Sequence, residues 1–172
     1  AMSGNARNQN DNDQSDAGAL ALDDLRALRS ELQQQDDAVS YVRRLAQARL
    51  DFVRAEMRNR AEGADRDITD EIPNILGSHL TGGAPRPPRP AEDFSTHPLA
   101  LELEVLCDEA CSTDLPAMSH DELASYAARL HAFEQLRSNE RQDLFVRIDA
   151  LSAELVRRYR DGEANVDGLL VD

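Results

Sequence analysis

Two rows of side chains in this sequence are chemically alike and identically spaced. Asp36, Ser40, Arg43, Gln47 and Asp51 stand at steps of four, three, four and four residues, and Glu134, Ser138, Arg141, Phe145 and Asp149 repeat those steps. Such steps hold one face of an α-helix. Each row therefore lines up acid, hydroxyl, guanidinium and acid, with Gln47 or Phe145 before the last. A carboxylate accepts two hydrogen bonds from the N1–H and N2-amino edge of guanine. An arginine donates as a fork to guanine O6 and N7 or to phosphate oxygens, and its plane stacks on bases. Serine donates to phosphate, and glutamine offers both a donor and an acceptor. The set suits guanine nucleotides. The outer acids of one row are fifteen residues apart, about 22 Å along a helix. That span is too long for one mononucleotide and suits a ligand with guanines at both ends. The plain alternative is a solvated helix face with charge pairs one turn apart.

The elements that must carry these rows are legible in the apolar residues. Leu25, Leu32, Val39, Ala46 and Val53 recur every seven residues, joined by Leu28 and Val42. This is a heptad seam on a helix expected over about 22–61, with Asp23 as its cap and Gly63 as its stop. In this first helix the polar row is expected beside the seam. Ser119, with Glu122 three residues on and Met118 before it, reads as a capping box with a hydrophobic staple. It opens a second long helix over about 120–160, ended by Gly162. Leu123, Leu130, Arg137, Leu144 and Leu151 form its seam, and Ala127, Glu134, Arg141, Ile148 and Leu155 the companion row. Glu134, Arg137 and Arg141 thus interrupt an apolar seam. Burying such ions unpaired would cost several kcal/mol each, so they demand partners.

The fold class expected is all-α. Two long helices form an antiparallel coiled coil joined by a short helical middle segment, behind a disordered N-terminus. Residues 1–18, rich in Asn, Asp, Gln, Ser and Gly, form that disordered segment. Residues 19–162 form a single helical domain, with short helices and a Pro/Gly linker over 63–118, and residues 163–172 form an acidic tail. The middle holds Ile68 to Leu80, the breakers between Thr81 and Pro90, and a segment after Pro98. That segment alternates Leu99, Leu101, Leu103 and Val105 as a strand would, but its Glu and Leu content favours helix. Two antiparallel copies of the polar row would be related by an approximate two-fold axis, which a two-fold symmetric ligand would match.

The 172 residues carry a net charge of −14. That balance argues against direct DNA binding and fits a basic protein partner. All 19 basic residues are Arg. No run approaches the roughly 20 apolar residues of a membrane span, and no apolar signal segment opens the chain, so a cytoplasmic protein is expected. Cys107 and Cys111 are too few for a disulfide framework. They read as two small half-buried residues, or more sharply as a metal pair with His97, although the usual close ligand spacings are missing. No metal site and no catalytic residues are expected. There is no Glu-x-x-His pair for a di-metal bundle and no Gly-rich phosphate loop.

The spacing Glu-x3-Ser-x2-Arg-x3-Gln-x3-Asp on two long helices resembles the signature of the RsiG family of cyclic di-GMP-dependent anti-sigma factors of filamentous actinobacteria. The resemblance covers the whole layout: two coiled-coil helices, a helical middle and an acidic, Lys-free chain. It implies that the helices bind two cyclic di-GMP molecules and that the loaded protein sequesters a sporulation sigma factor of the WhiG type. It also implies that Asp51 and Asp149 hold guanine edges, that Arg43 and Arg141 contact guanine, stack or pair with phosphate, and that Ser40, Ser138 and Gln47 support them. Asp36 departs from the signature with one fewer methylene than Glu. Phe145 departs by losing the hydrogen bonds of Gln while gaining a ring that can stack. A competing expectation is a ligand-independent coiled-coil adaptor that binds a basic protein partner through its seams.

Overall fold

Apolar side chains at seven-residue intervals build two helices of equal length. In the computed structural model, which describes residues 16–63, 92–111 and 114–162, these are α1, Leu22–Glu62, and α3, His120–Arg160, each of 41 residues. Between them lie α2, Pro98–Ala110, and a 3-10 turn, Leu115–Ala117. There is no strand among the described residues. Residues 1–15, the Ile68–Leu80 run, the Thr81–Pro90 breakers and the tail after Gly162 lie outside the described residues.

The long helices pair antiparallel, forming an all-α coiled coil. The span expected as one domain over 19–162 divides into two compact units. One comprises Ala1–Asp37 with Glu140–Asp172, and the other Ala38–Asn139. In the first, Arg26 donates to the Tyr159 hydroxyl (2.6 Å) and Arg29 to Ser152 Oγ (2.8 Å). Numbers rise on α1 as they fall on α3. The buried apolar residues of this unit are Ala17, just before α1, Leu25 and Leu32 of α1, and Leu144, Ile148, Ala150 and Leu151 of α3. In the second unit, Val42, Ala46, Leu50 and Val53 of α1 pack with Ala100, Leu103 and Cys107 of α2 and with Leu123, Tyr126, Leu130 and Phe133 of α3. Fully burying each such leucine is worth about 1.5–3 kcal/mol.

Helix ends follow local chemistry. Ser119 and Glu122 close the capping box reciprocally. The Ser119 N–H donates to Glu122 Oε2 (2.7 Å), and the Glu122 N–H donates to Ser119 Oγ (3.1 Å). Met118 is buried in the same core as Leu123, as a hydrophobic staple requires. We expect Ser119→Ala to cost about 1 kcal/mol, read as a lower urea midpoint with an unchanged slope. Gly63 and Gly162 end the long helices at φ of 62° and 76°, where a side chain would be strained. Pro98 at the first helical position and His97 before it start α2. His97 Nδ1 accepts from the Leu99 N–H (3.2 Å). Burial at Ala100, Leu103 and Cys107 is helix spacing, which settles the ambiguity of the alternating leucines.

Three expectations are corrected. Asp23 is not the cap of α1. The helix starts at Leu22, with the Leu25 N–H bonded to the Ala21 carbonyl, so Asp23 lies inside the exposed first turn and pairs with Arg26. There its charge favours the helix dipole instead. Residues 16–18 fall within the segment expected to be disordered. They are helical and Ala17 is buried. The cause is Arg158, itself buried, which donates to the carbonyls of Ala17 (3.4 Å), Gly18 (3.3 Å) and Leu20 (2.7 Å). Finally, the polar row of α1 is not wholly beside the seam: Asp36 is 6% exposed, in line between Leu32 and Val39. A period of 3.5 residues puts a seam position there, and an acid occupies it.

Glu154 holds Arg157 and Arg158 at 2.8–3.0 Å. Those hydrogen bonds lower its carboxyl from the usual 4.5 to about 2. A depressed carboxylate contributes stability that is present above its unfolded value and is lost as pH falls through the folded one. We therefore expect thermal stability to decline between about pH 4.5 and 2. Melts of Glu154→Gln should lack that part of the decline.

Candidate functional site

The residues of the two rows fall into both units, and each unit gathers one cluster. In Ala38–Asn139 the centre is Glu134, 7% exposed, on α3. Arg43 Nη1 and Gln47 Nε2, one turn apart on α1, both donate to its Oε1 at 3.0 Å, and Gln135 Nε2 donates to its Oε2 at 3.1 Å. Charge-assisted bonds of this kind are roughly twice as strong as neutral ones. With one acid oxygen shared by a cation and an amide, the ion in the seam is compensated.

What remains open is on the arginine. Nη1 of Arg43 is engaged, but its Nε is buried without a hydrogen-bond partner among the described residues, as is Ser40 Oγ. The Nε–Nη2 edge of a guanidinium is a two-donor fork that matches a carboxylate, a phosphate or the O6/N7 edge of guanine. A buried polar group left unbonded costs about 1–3 kcal/mol. Asp51 and Ser138, the other members of the rows in this unit, are half-buried.

The cluster in the other unit has the same logic with roles exchanged between helices. Arg141 comes from α3 and the acid, Asp36, from α1. Arg141 Nε lies 3.5 Å from Asp36 Oδ1, an ion pair without hydrogen-bond geometry. The guanidinium stacks 4.8 Å above the Phe145 ring. Phe145 thus does by stacking what Gln47 does by hydrogen bonding, in that each helps place charge beside its row's partners. Asp149 is exposed, and no hydrogen bond or ion pair among the described residues ties it to this cluster. The repeated rows therefore yield the same acid–arginine pair twice, once in each unit, each time between α1 and α3.

Two residues outside the expected set take part. Gln135 supports Glu134. Arg137 stacks 4.9 Å over Phe133 and pairs with Glu102 of α2 at 3.6 Å. Arg137 carried a signal in the sequence, since it occupies a seam position where leucine precedes and follows it. Gln135 carried none. The Cys107–Cys111–His97 set does not form a ligand group. His97 Nδ1 is used as a helix cap, Cys107 lies in the core beside Tyr126, and the two cysteines form no disulfide. Burial, followed by a hydrogen bond with Cys107, pushes the Tyr126 phenol above its usual range. No group of three or more potential metal ligands exists among the described residues.

Residues 11–76 match the RsiG-like family. The match covers 66 of the 172 residues. The matched segment contains all of α1 and with it Asp36, Ser40, Arg43, Gln47 and Asp51. That family is one of regulatory anti-sigma factors, not enzymes. No curated protein matches the sequence. Among the described residues, no helix is long and apolar enough to cross a membrane.

Proposed function

We propose that this chain is an anti-sigma factor that takes up cyclic di-GMP through its two acid–arginine clusters and, when loaded, sequesters a sporulation sigma factor of the WhiG type, blocking transcription. The observation that carries this is the condition of Arg43. One nitrogen, Nη1, is anchored by Glu134, and Nε is buried with no hydrogen-bond partner among the described residues. A preset donor fork beside a buried, unbonded hydroxyl is suited to guanine or phosphate. In the other unit Arg141, stacked on Phe145, offers a cation of the same kind, and the family resemblance implies two cyclic di-GMP ligands per chain. Asp51 and Asp149 are the acids that would accept from the guanine N1–H and N2-amino edge.

Ligand control follows if the sigma factor binds the loaded arrangement better than the empty one, which is a coupling free energy between two sites. The net charge of −14 would steer the chain to basic regions of the sigma factor in the cytoplasm. The test is gel filtration of the chain with the sigma factor, with and without cyclic di-GMP. Co-elution only with nucleotide supports the proposal. A ligand-independent adaptor is the second reading, and one observation favours it: both acid–arginine pairs already close within the chain. Co-elution of equal strength without nucleotide would decide for it.

A further inference from the structure

The helix α2 is apolar on two sides, and one of them faces solvent. Ala100, Leu103 and Cys107 are buried in the core, whereas Leu101 and Val105, one turn apart on the opposite face, are 48% and 56% exposed. A single exposed leucine needs no explanation. Two branched residues in register along the outer side of a helix whose inner side is already filled are different, because an ordinary surface helix is polar there. The charges that α2 itself carries are of one sign. All four ionisable residues of α2 on this outer side are acids, and α2 has no basic residue. At 100° per residue, Glu104 and Asp108 flank the Leu101–Val105 strip on one side, and Glu102 and Glu109 on the other. Glu102 and Glu109 are tied to α3 through Arg137 (3.6 Å) and Arg129 (2.8 Å). These pairs fix the orientation of α2 and hence of its outer strip.

We propose that the outer face of α2 is the docking ridge for the sigma factor, and that the segment it receives is a cationic amphipathic helix. This rests on the anti-sigma reading above and names the surface it uses. The complementary segment has apolar residues one turn apart to cover Leu101 and Val105, with Arg or Lys on the side that meets Glu104 and Asp108, since Glu102 and Glu109 already pair with α3. The apolar strip supplies the anchor, and the flanking charges supply orientation and encounter rate. An interface of specific size needs about 1,200 Å² or more, so α2 is its anchor and not its whole extent.

The experiment uses the full chain loaded with cyclic di-GMP and titrates the sigma factor by calorimetry. Leu101→Gln with Val105→Gln should weaken sigma-factor binding by about tenfold or more, leaving nucleotide uptake and helical circular dichroism unchanged. Glu104→Arg with Asp108→Arg should weaken binding and flatten its dependence on salt. Full-strength sigma binding by both double variants would overturn the proposal. If the unaltered chain sediments as a dimer that Leu101→Gln with Val105→Gln makes monomeric, the strip belongs to a second copy, and the proposal is again overturned. Failure of the unaltered loaded chain to bind the sigma factor at all would remove the anti-sigma reading itself, and the docking ridge with it.

Discussion

Arg43→Ala is expected to weaken cyclic di-GMP binding by about two orders of magnitude, with the helical circular dichroism signal nearly unchanged. The magnitude follows from the fork. Hydrogen bonds to charged groups are worth about 1.5–3 kcal/mol each, and losing two is worth more than a hundredfold at about 1.4 kcal/mol per decade. The fold survives because Glu134 keeps its bonds from Gln47 and Gln135, so the carboxylate is not left bare. Arg43→Lys retains the charge but not the planar fork and should fall between the two. Isothermal titration with cyclic di-GMP, with GTP as a control, reads all three. Unfolding by Arg43→Ala would instead show that the guanidinium holds the helix pair together.

The largest effect on stability is expected at Leu130. Its side chain is fully buried where α1, α2 and α3 meet, among Val42, Leu103 and Leu123. Truncation to Ala removes the transfer energy and leaves a cavity, at a cost of about 2–5 kcal/mol. For a chain of this size that lowers Tm by roughly 5–15 °C. Leu136, six residues on and 59% exposed, is the control: its replacement by Ala should change stability by no more than about 0.5 kcal/mol. Denaturant melts of the two variants give the comparison.

Much of the fold was readable because helices advertise themselves locally. The seven-residue recurrence of Leu25, Leu32, Val39, Ala46 and Val53 corresponds to five buried side chains. Both ending glycines and the Ser119–Glu122 box depend only on near neighbours and behave as their types require. Apart from Asp23, whose role turns on where the helix starts, what was misread depends on partners distant in sequence. The ordering of residues 16–18 needs Arg158, some 140 positions away, and no property of Asp16 or Gly18 announces it. Asp36 occupies the seam because Arg141 meets it there. In the clusters, residue types and spacing showed which side chains share a face. They did not show that each arginine would take the opposing row's first acid, that Phe145 would carry Arg141 by stacking, or that Asp149 would remain exposed. The interruption of the α3 seam by Glu134, Arg137 and Arg141 was the clearest sign in the sequence. Each of the three has a partner within its own unit, from α1 for Glu134 and Arg141 and from α2 for Arg137.

The most direct measurement is equilibrium dialysis of the purified chain against cyclic di-GMP. Saturable uptake at micromolar nucleotide, lost in Arg43→Ala and not displaced by excess GTP, is the result expected if the repeated rows are a guanine dinucleotide site. No uptake at that concentration by a chain that remains helical would contradict it and leave the rows as paired charges of a coiled coil.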